Sequence, residues 1–457
     1  MHLTQTNIQQ YITPGRRAHL VGIGGVSMAP LAEVLHKIGM TISGSDWQES
    51  EKVTHLRSLG IEVSVGSQKA ENIHDTDCVI RTAAAHDDNP EIAAARAAGI
   101  PVFERAEAWG AIMQQYENAI CVAGTHGKTT ATSMVTHIFM AAQSDPTVMI
   151  GGTLPLLGSG YRVGKGDTII LESCEYCNSF LYFFPTIAVV LNIEADHLDF
   201  FKDLDDVKLS FRRFAQLAEK DGHIVCNADD SNTMDALSGL PLFTFGVNND
   251  ANLRAENLTW SFGMPEFDIV VNGTVYTHLA LKVGGLYNVQ NALAAASAAY
   301  LLGIDGSAVK QGLESFSGAG RRFEFKGEYN GAKIYDDYAH HPGELHALLS
   351  MARRLGYKRI ICAFQPHTYT RTKALFDEFV TELRAADHLI LAEIFAAREQ
   401  NTIGISSADL AKEIPGAQFC PTLEEVTEAL RAVTRPGDLI LTVGAGNIFS
   451  AGEALLR

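Results

Sequence analysis

The strongest chemical signal in the chain is a glycine-rich segment that ends in lysine and threonine. Residues 124–130 read Gly-Thr-His-Gly-Lys-Thr-Thr and lie between an apolar strand-like run at 119–123 and a helical pattern. The backbone N–H groups of such a loop, with the helix N-terminus, can cradle phosphates, while Lys128 reaches the terminal phosphates and Thr129 ligates Mg²⁺. Val122 occupies the position of the first glycine in the general phosphate-loop pattern. The strand and helix context still favours a phosphate-binding loop over a connecting turn.

Two acidic clusters follow apolar runs further along the chain. Residues 171–175 read Leu-Glu-Ser-Cys-Glu, and residues 192–197 read Asn-Ile-Glu-Ala-Asp-His. Ligands of α/β proteins bind at the carboxyl ends of parallel strands, so we predict that Glu172 and His197 converge on a metal ion and the terminal phosphate beside the loop. Solvated strand ends are the alternative. Cys174 and Cys177 have no second closely spaced pair to complete a zinc site, so we expect packing, with redox regulation as a minor alternative.

A third group of reactive side chains lies in the last third of the chain. Residues 336–342 read Asp-Asp-Tyr-Ala-His-His-Pro and come directly after a strand-like run. Arginines occur in the flanking segments 320–324 and 364–372. Because the guanidinium group binds carboxylate and phosphate through a bidentate fork, this region is predicted to receive an anionic substrate. A structural turn is the alternative.

A fourth signal, near the N-terminus, is Gly-Ile-Gly-Gly-Val-Ser at residues 22–27, followed by Asp46. This pattern is close to a dinucleotide-binding fingerprint, which makes a nicotinamide-dependent dehydrogenase a real competitor. Ser27 replaces the third glycine of that fingerprint. A glycine turn at a helix N-terminus can also hold the diphosphate of a nucleotide sugar.

The elements that position these motifs alternate between strands and helices along the chain. The alternation predicts an α/β fold with parallel sheets and crossover helices. We expect three domains, at residues 1–108, 109–318 and 319–457. Residues 243–283 carry strand-like runs without helices between them and are predicted to form an antiparallel subsheet within the second domain.

Composition restricts the class of protein. The chain has 457 residues and a formal net charge of −17, without a basic patch, which excludes nucleic acid as a ligand. No apolar run approaches the roughly 18 residues of a membrane span, and the N-terminus has no signal-peptide pattern. The seven cysteines are an odd, scattered set. We therefore expect a cytoplasmic enzyme that is not inserted in a membrane.

These motifs, in this order, resemble the Mur ligases of peptidoglycan synthesis, and the resemblance covers essentially the whole chain. It rests on these segments: 19–25 with Met28, 44–46, 124–130, 192–197, 320–324, 336–342 and 364–372. The resemblance implies an N-terminal Rossmann-like domain for the UDP-sugar, a central P-loop-type ATPase domain and a C-terminal Rossmann-like domain for the amino acid. It also implies ATP-dependent joining of L-alanine to the lactyl carboxylate of UDP-N-acetylmuramate through an acyl phosphate, with Mg²⁺ as cofactor.

The resemblance further assigns roles to individual residues. The implied catalytic residues are Lys128, Glu172, His197, Arg322 and His340. The implied metal ligands are Thr129, Glu172 and His197. The implied nucleotide-binding residues are Gly124, Thr125, His126, Gly127, Lys128, Thr129, Thr130, Tyr287, Asn291, Arg322 and Asp336, the last at the ribose. The implied substrate-binding residues are Gly24, Gly25, Val26, Ser27, Met28, Ser45, Asp46, Thr82, Ala83, His126, Tyr338, His340, His367 and Arg371.

Other functions remain open from the sequence. A related ligase that joins a whole peptide to the same sugar is the nearest alternative, because the sequence does not measure the volume of the amine pocket. A dehydrogenase and an inactive UDP-sugar-binding homologue are further alternatives. Tyr287 stands where such ligases usually have histidine, and its ring can still stack on adenine. We expect a monomer or a weak homodimer.

Overall fold

The computed structural model describes residues 8–66, 68–82, 84–198, 200–218, 220–261, 263–397 and 399–457. Strands and helices alternate along these ranges, and the strands form three sheets. The predicted α/β class is confirmed. Within the described ranges, no helix combines the length and apolar character that a membrane span requires.

The first sheet is parallel throughout, with strand order β3-β2-β1-β4-β5. Its strands are β1 Arg17–Val21, β2 Thr41–Asp46, β3 Glu62–Val65, β4 Cys78–Arg81 and β5 Val102–Glu104. Its helices are α1 Met28–Lys37, α2 Glu51–Ser58, α3 Pro90–Ala97 and α4 Arg105–Met113. The order changes direction between β1 and β4, which is where a doubly wound sheet opens a ligand crevice.

The second sheet has the order β15-β14-β13-β12-β11-β10-β6-β9-β7-β8. Its strands are β6 Asn118–Ala123, β7 Thr147–Leu154, β8 Ser159–Arg162, β9 Thr168–Glu172, β10 Ile187–Val190, β11 His223–Asn227, β12 Leu242–Gly246, β13 Leu253–Ser261, β14 Met264–Val271 and β15 Thr274–Ala280. Its helices are α5 Lys128–Ala141, α6 Leu204–Ala215, α7 Ser231–Ala236, α8 Leu286–Leu301 and α9 Gly306–Ser315. Strands β13, β14 and β15 pair antiparallel, which confirms the predicted subsheet for residues 253–280. The prediction was wrong at its start, because β12 pairs parallel with both β11 and β13.

The third sheet has the order β16-β17-β21-β18-β19-β20 and is parallel except for β16. Its strands are β16 Glu324–Tyr329, β17 Ala332–Asp337, β18 Ile360–Phe364, β19 His388–Ala392, β20 Gln418–Cys420 and β21 Leu439–Val443. Its helices are α10 Pro342–Arg354, α11 Tyr369–Ala374, α12 Phe376–Leu383, α13 Ser407–Glu413, α14 Leu423–Val433 and α15 Phe449–Leu455. Three 3₁₀ segments, Ile8–Gln10, Ala70–Asn72 and Tyr176–Tyr182, complete the described secondary structure.

The first two sheets share one apolar core. Helix α4 contributes Trp109 and Ile112 to a buried cluster that also contains Phe180 and Phe211 of the second sheet's layer. The central strands β6, β9 and β10 are buried on both faces, as their near-continuous apolar sequences predict. This packing fixes the carboxyl ends of β6, β9 and β10 side by side, because β6 pairs with both neighbours. The motifs that follow these three strands therefore meet at one edge.

Candidate functional site

The glycine-rich loop connects β6 to α5 and is shaped by its glycines. Gly127 has φ 82°, a conformation that side chains rarely adopt, and a Cβ there would lie 2.7 Å from the Asn291 amide oxygen. Asn192, which follows β10, fixes the loop from the other side. Its side chain accepts a hydrogen bond from the His126 N–H at 2.8 Å and donates one to the His126 carbonyl at 3.1 Å. The loop is thus held open at the N-terminus of α5.

Lys128 is held inside this loop by oxygen acceptors. Its Nζ donates to the carbonyls of Gly124 and Thr125 at 2.5 and 3.1 Å and to Glu175 Oε2 at 2.9 Å. Burial alone would lower the pKa of Lys128, but Glu175 and other nearby acidic groups raise it above its ordinary value. The ammonium charge therefore stands at the position where phosphates would enter the loop.

Two glycines of β7 bring Thr129 and Glu172 to a common surface. The Gly151 N–H donates to Glu172 Oε2 at 2.7 Å, and a Cβ on Gly151 would lie 2.6 Å from Glu172 Oε1. A Cβ on Gly152 would lie 3.4 Å from Thr129 Cγ2. The hydroxyl of Thr129 and the carboxylate of Glu172 are the types of oxygen ligand that Mg²⁺ prefers.

His197 lies near the same acids. Its Nε2 is 3.8 Å from Glu175 Oε1 and 3.8 Å from Asp196 Oδ2, and its ring is 4.7 Å from that of Tyr176. Burial lowers the pKa of His197, which favours the neutral imidazole that can ligate a metal. Of the predicted set, Lys128 and His197 thus lie beside Glu175, while Glu172 is held by the Gly151 N–H.

An ion-pair network links the phosphate loop to the third sheet's layer. His126 Nε2 is 3.2 Å from Glu194 Oε2, and its Nδ1 is 3.3 Å from Glu344 Oε1. Burial would lower the pKa of His126, but hydrogen bonds to Glu194 and Glu344 raise it to about 10. Arg322 Nη1 is 3.7 Å from the same Glu344 oxygen.

The ligand atoms of His126, Glu194 and His341 lie within 4.8 Å of one another. His126 also pairs with Glu344 and its pKa is raised, so the contacts seen here are those of an ion-pair network.

Four residues that were predicted to bind substrate come together among the elements of the third sheet. The His340 ring is 5.5 Å from that of Tyr338 and 5.9 Å from that of His367. Arg371 Nη1 is 3.3 Å from His367 Nδ1, and its Nη2 donates to Asp196 Oδ1 at 3.1 Å across to the second layer. Burial lowers the pKa of His340 to about 4, so its imidazole is neutral at pH 7.

A cavity of about 140 Å³ lies between the phosphate loop and the third layer. The predicted nucleotide residues that line it are His126, Gly127, Thr130, Tyr287, Asn291 and Arg322. Asp336 is not among its lining residues. Its carboxylate is buried and accepts hydrogen bonds from Arg321 Nε and Thr442 Oγ1, both at 2.8 Å. The neighbouring Asp337 lines the cavity instead, and burial raises the pKa of its carboxyl to about 6.

The glycine turn of the first sheet is supported by Asp46 and Thr82. Asp46 Oδ2 accepts a hydrogen bond from the Gly24 N–H at 2.8 Å, and a Cβ on Gly22 would lie 2.8 Å from Thr82 Cγ2. Gly25 and Val26 are exposed, and Ser27 is partly buried before the first turn of α1.

Two residues that were predicted to bind substrate are turned inward. Met28 belongs to the core, and the Ser45 hydroxyl donates to Glu91 at 2.6 Å, so neither side chain is presented to a ligand. Ala83 lies outside the described residues.

Sequence reasoning missed four carboxylates that the fold brings to this site. They are Glu175, Glu194, Glu344 and Asp337. The first two stand inside the acidic clusters already noted in the sequence, where Glu172 and His197 were preferred as metal ligands. Glu344 stands on the first turn of α10 with only a helix-capping signature. Its contact with His126 depends on packing between two layers, which no local pattern encodes.

Three family models match the chain in succession. The model described as "Mur ligase family, catalytic domain" matches residues 17–117, "Mur ligase middle domain" matches residues 122–299, and "Mur ligase, glutamate ligase domain" matches residues 321–446.

Curated relatives and solved structures are similar to the chain over nearly its whole length. UDP-N-acetylmuramate–L-alanine ligase of Agathobacter rectalis is 46% identical over 447 residues, covering 96% of this chain and 97% of the relative. The protein of that name from Caldanaerobacter subterraneus subsp. tengcongensis is 43% identical over 449 residues, covering 97% of each chain. The crystal structure of UDP-N-acetylmuramate-alanine ligase MurC from Thermotoga maritima aligns with a TM-score of 0.80 at 29% identity, covering 96% of this chain and 98% of that one. A murein peptide ligase from Psychrobacter arcticus has a TM-score of 0.70 at 23% identity, covering 97% and 98%, and shares the fold.

Proposed function

The chain belongs to the Mur ligase family, and from this premise we propose that it is an ATP-dependent ligase that joins L-alanine to the lactyl carboxylate of UDP-N-acetylmuramate. The products are the amide, ADP and phosphate. This reaction belongs to the synthesis of peptidoglycan precursors. It is the activity named for relatives that are 43–46% identical over nearly the whole chain.

The observation that carries the proposal is the cavity between the phosphate loop and the third layer. It is lined by the phosphate loop and by residues packed around the second and third sheets, including Asn291 from α8 and Arg322 from the segment before β16. Tyr287 is exposed enough to stack on an adenine ring. Asp337 lines the cavity, while its two oxygens also accept hydrogen bonds from the Phe323 and Ala339 N–H groups. It is proposed, in place of Asp336, as the carboxylate that accepts hydrogen bonds from a ribose.

The chemistry follows from the low reactivity of a carboxylate towards amines. An oxygen of the lactyl carboxylate attacks the γ-phosphorus of ATP, and the bond to ADP breaks. The amine nitrogen of L-alanine then attacks the acyl carbon, and phosphate leaves with the oxygen that carried it. Lys128 and Arg322 stabilise the charge that develops on the transferred phosphoryl group.

The residues at the carboxyl edge of the second sheet fit a magnesium ion. Thr129, Glu172 and His197 would hold it, since they offer a hydroxyl, a carboxylate and an imidazole that burial keeps neutral. The ion supplies charge neutralisation on the phosphates of ATP. We extend the same proposal to the domain ranges 1–108, 109–318 and 319–457, which would receive the UDP-sugar, ATP and amino acid in that order.

Tyr338, His340, His367 and Arg371 are proposed to surround the amino acid and the muramoyl end of the sugar. His340 is neutral at pH 7 and can accept a proton from the attacking amine. Asp196 accepts hydrogen bonds from Arg371 and keeps that guanidinium oriented. A cytoplasmic location is proposed because ATP and UDP-sugars are made there, and a monomer or weak homodimer is the proposed assembly.

Isotope transfer tests the acyl-phosphate route. With UDP-N-acetylmuramate carrying ¹⁸O in both lactyl oxygens, one ¹⁸O should appear in the released phosphate and the other in the amide. The measurement is mass spectrometry of both products after a reaction with ATP, Mg²⁺ and L-alanine. Phosphate without ¹⁸O would contradict the proposed chemistry.

A further inference from the structure

Arg105 is a cation that the reaction described so far does not use. It is the first residue of α4 and directly follows β5, at the carboxyl edge of the first sheet. Its side chain is partly buried. A positive charge at this position opposes the helix macrodipole, whose N-terminal end is also positive. The helix macrodipole therefore does not stabilise the charge of Arg105.

Among the residues that the structure describes, Arg105 has no hydrogen-bond acceptor and no ion-pair partner. The adjacent acid, Glu104, is already bound by Arg81, with Nε at 2.7 Å and Nη2 at 2.6 Å from Oε1. Glu107 accepts a hydrogen bond from the Glu104 N–H at 2.7 Å. A guanidinium has five N–H donors, and a partly buried one without acceptors is costly unless an anion binds there.

Arg105 also begins a helix that contacts the segment directly after the acidic cluster at 171–175. Burial lowers the pKa of Arg105, and the Cys174 thiol and the Glu104 carboxylate oppose that shift. The same thiol is influenced by Glu175, Lys128 and Glu172. Helix α4 packs closely on the segment after Glu175, since a Cβ on Gly110 would lie 2.1 Å from the Tyr182 carbonyl oxygen. Arg105 therefore stands at the carboxyl edge of the first sheet, on the helix that packs against the segment following Glu175.

The acids on that side are also engaged. Glu175 accepts hydrogen bonds from Lys128 at 2.9 and 3.2 Å, and Glu172 accepts one from the Gly151 N–H at 2.7 Å. These acids are therefore already engaged, which leaves the guanidinium of Arg105 open to an anionic ligand.

We propose that Arg105 binds the lactyl carboxylate of UDP-N-acetylmuramate and positions it for attack on the γ-phosphate. The inference rests on the proposed function. The diphosphate of the same substrate is a second possible anion, and strand order argues against it. β4 separates β5 from β1, so Arg105 stands two strand spacings, roughly 10 Å, from the glycine turn that would hold the diphosphate. A carboxylate accepts two parallel hydrogen bonds from one guanidinium, which fixes its orientation.

The test compares binding of two nucleotide sugars to the full-length protein by titration calorimetry. UDP-N-acetylmuramate carries the lactyl carboxylate, whereas UDP-N-acetylglucosamine carries the same diphosphate without it. Arg105→Met should weaken binding of the first by about tenfold to a hundredfold, the range expected for a lost hydrogen bond to a charged group. It should leave binding of the second within about twofold. Arg105→Lys should lie between Met and wild type.

Arg16→Met is the matched control, because Arg16 pairs with Asp77 at 2.9 Å at the opposite edge of the same sheet. It should leave both affinities unchanged. Equal weakening of both ligands by Arg105→Met would place Arg105 on the diphosphate and overturn the proposal, and so would no weakening of either. If the Met variant does not fold, as judged by circular dichroism, the ratio of the two affinities in Arg105→Lys decides in the same way.

The binding measurements need no turnover, so the inference and the proposed function fail separately. A wild-type protein that discriminates between the two sugars through Arg105 but releases no phosphate with L-alanine would keep the carboxylate site and reject the ligase reaction. A wild-type protein that turns over while Arg105→Met binds and reacts normally would reject only the inference.

Discussion

Replacing Lys128 by methionine separates the stability role of this residue from its role in turnover. The Lys128 side chain is 14% exposed and that of Glu175 is 2% exposed, with Nζ and Oε2 2.9 Å apart. Removal of one partner of a buried ion pair costs about 3–5 kcal/mol, because the other charge is left uncompensated. Lys128→Met should therefore lower the free energy of unfolding by about that amount.

The double variant Lys128→Met/Glu175→Gln removes both charges and keeps the side-chain sizes similar. It should recover most of the lost free energy of unfolding, since replacing both partners of a buried pair is often nearly neutral. Turnover should not recover. The loss of one preorganised cation at a phosphoryl transfer site costs a factor of about 10²–10³ or more in kcat.

Urea unfolding followed by circular dichroism measures the stability of each variant, and phosphate release at saturating substrates measures its turnover. Binding of UDP-N-acetylmuramate should be unchanged in both variants, because we propose that the glycine turn of the first sheet holds that ligand. Near wild-type turnover of Lys128→Met would refute the nucleotide-site assignment. A double variant as unstable as Lys128→Met would show that the buried pair is not the source of the instability.

Three further predictions concern the buried charge of His126, the space beside two glycines of β7, and the choice between Asp336 and Asp337. His126→Gln should destabilise the protein most below pH 6.5. Because the folded-state pKa of this histidine is raised to about 10, the difference in the free energy of unfolding from wild type should vanish as pH rises towards 10. Urea unfolding of both proteins between pH 6 and 10 checks this trend. Gly151→Ala should reduce kcat by about tenfold or more by displacing the carboxylate of Glu172, the proposed metal ligand. Gly152→Ala, which would make only an ordinary contact, should have little effect on phosphate release. Asp337→Asn should raise the KM for ATP about tenfold, which is the cost of a weakened charge-assisted hydrogen bond. Asp336→Asn should instead lower the melting temperature. A raised KM for ATP in Asp336→Asn alone would show that Asp336, and not Asp337, contacts the ribose.

The regular elements of the fold were predictable because apolar runs and helical periodicity recur along the chain. Strands such as β6 and β18 are buried on both faces and read as continuous apolar segments. The hairpin of β7 and β8 escaped prediction because its strands contain glycines and polar residues. The edge strands β16 and β20 escaped it because they are short or largely polar.

The site was predictable where a motif follows a central strand and not where layers meet. Gly124 and Glu172 follow neighbouring strands, so the sheet order alone brings them together. Glu344 reaches His126 only through packing of the third layer on the second. At Asp336 and Asp337 the sequence motif does not indicate which side chain faces the cavity, since adjacent strand residues point to opposite faces.

The most direct test of the proposed ligase activity is phosphate release with UDP-N-acetylmuramate, ATP and Mg²⁺, measured for different amines. L-alanine, glycine, L-serine and the tripeptide L-alanyl-γ-D-glutamyl-meso-diaminopimelate would be compared at equal concentration. Phosphate release should require all components and should be fastest with L-alanine. Preference for the tripeptide would make the protein a peptide-joining ligase of the same family, and no release with any of the four amines would contradict the proposed activity.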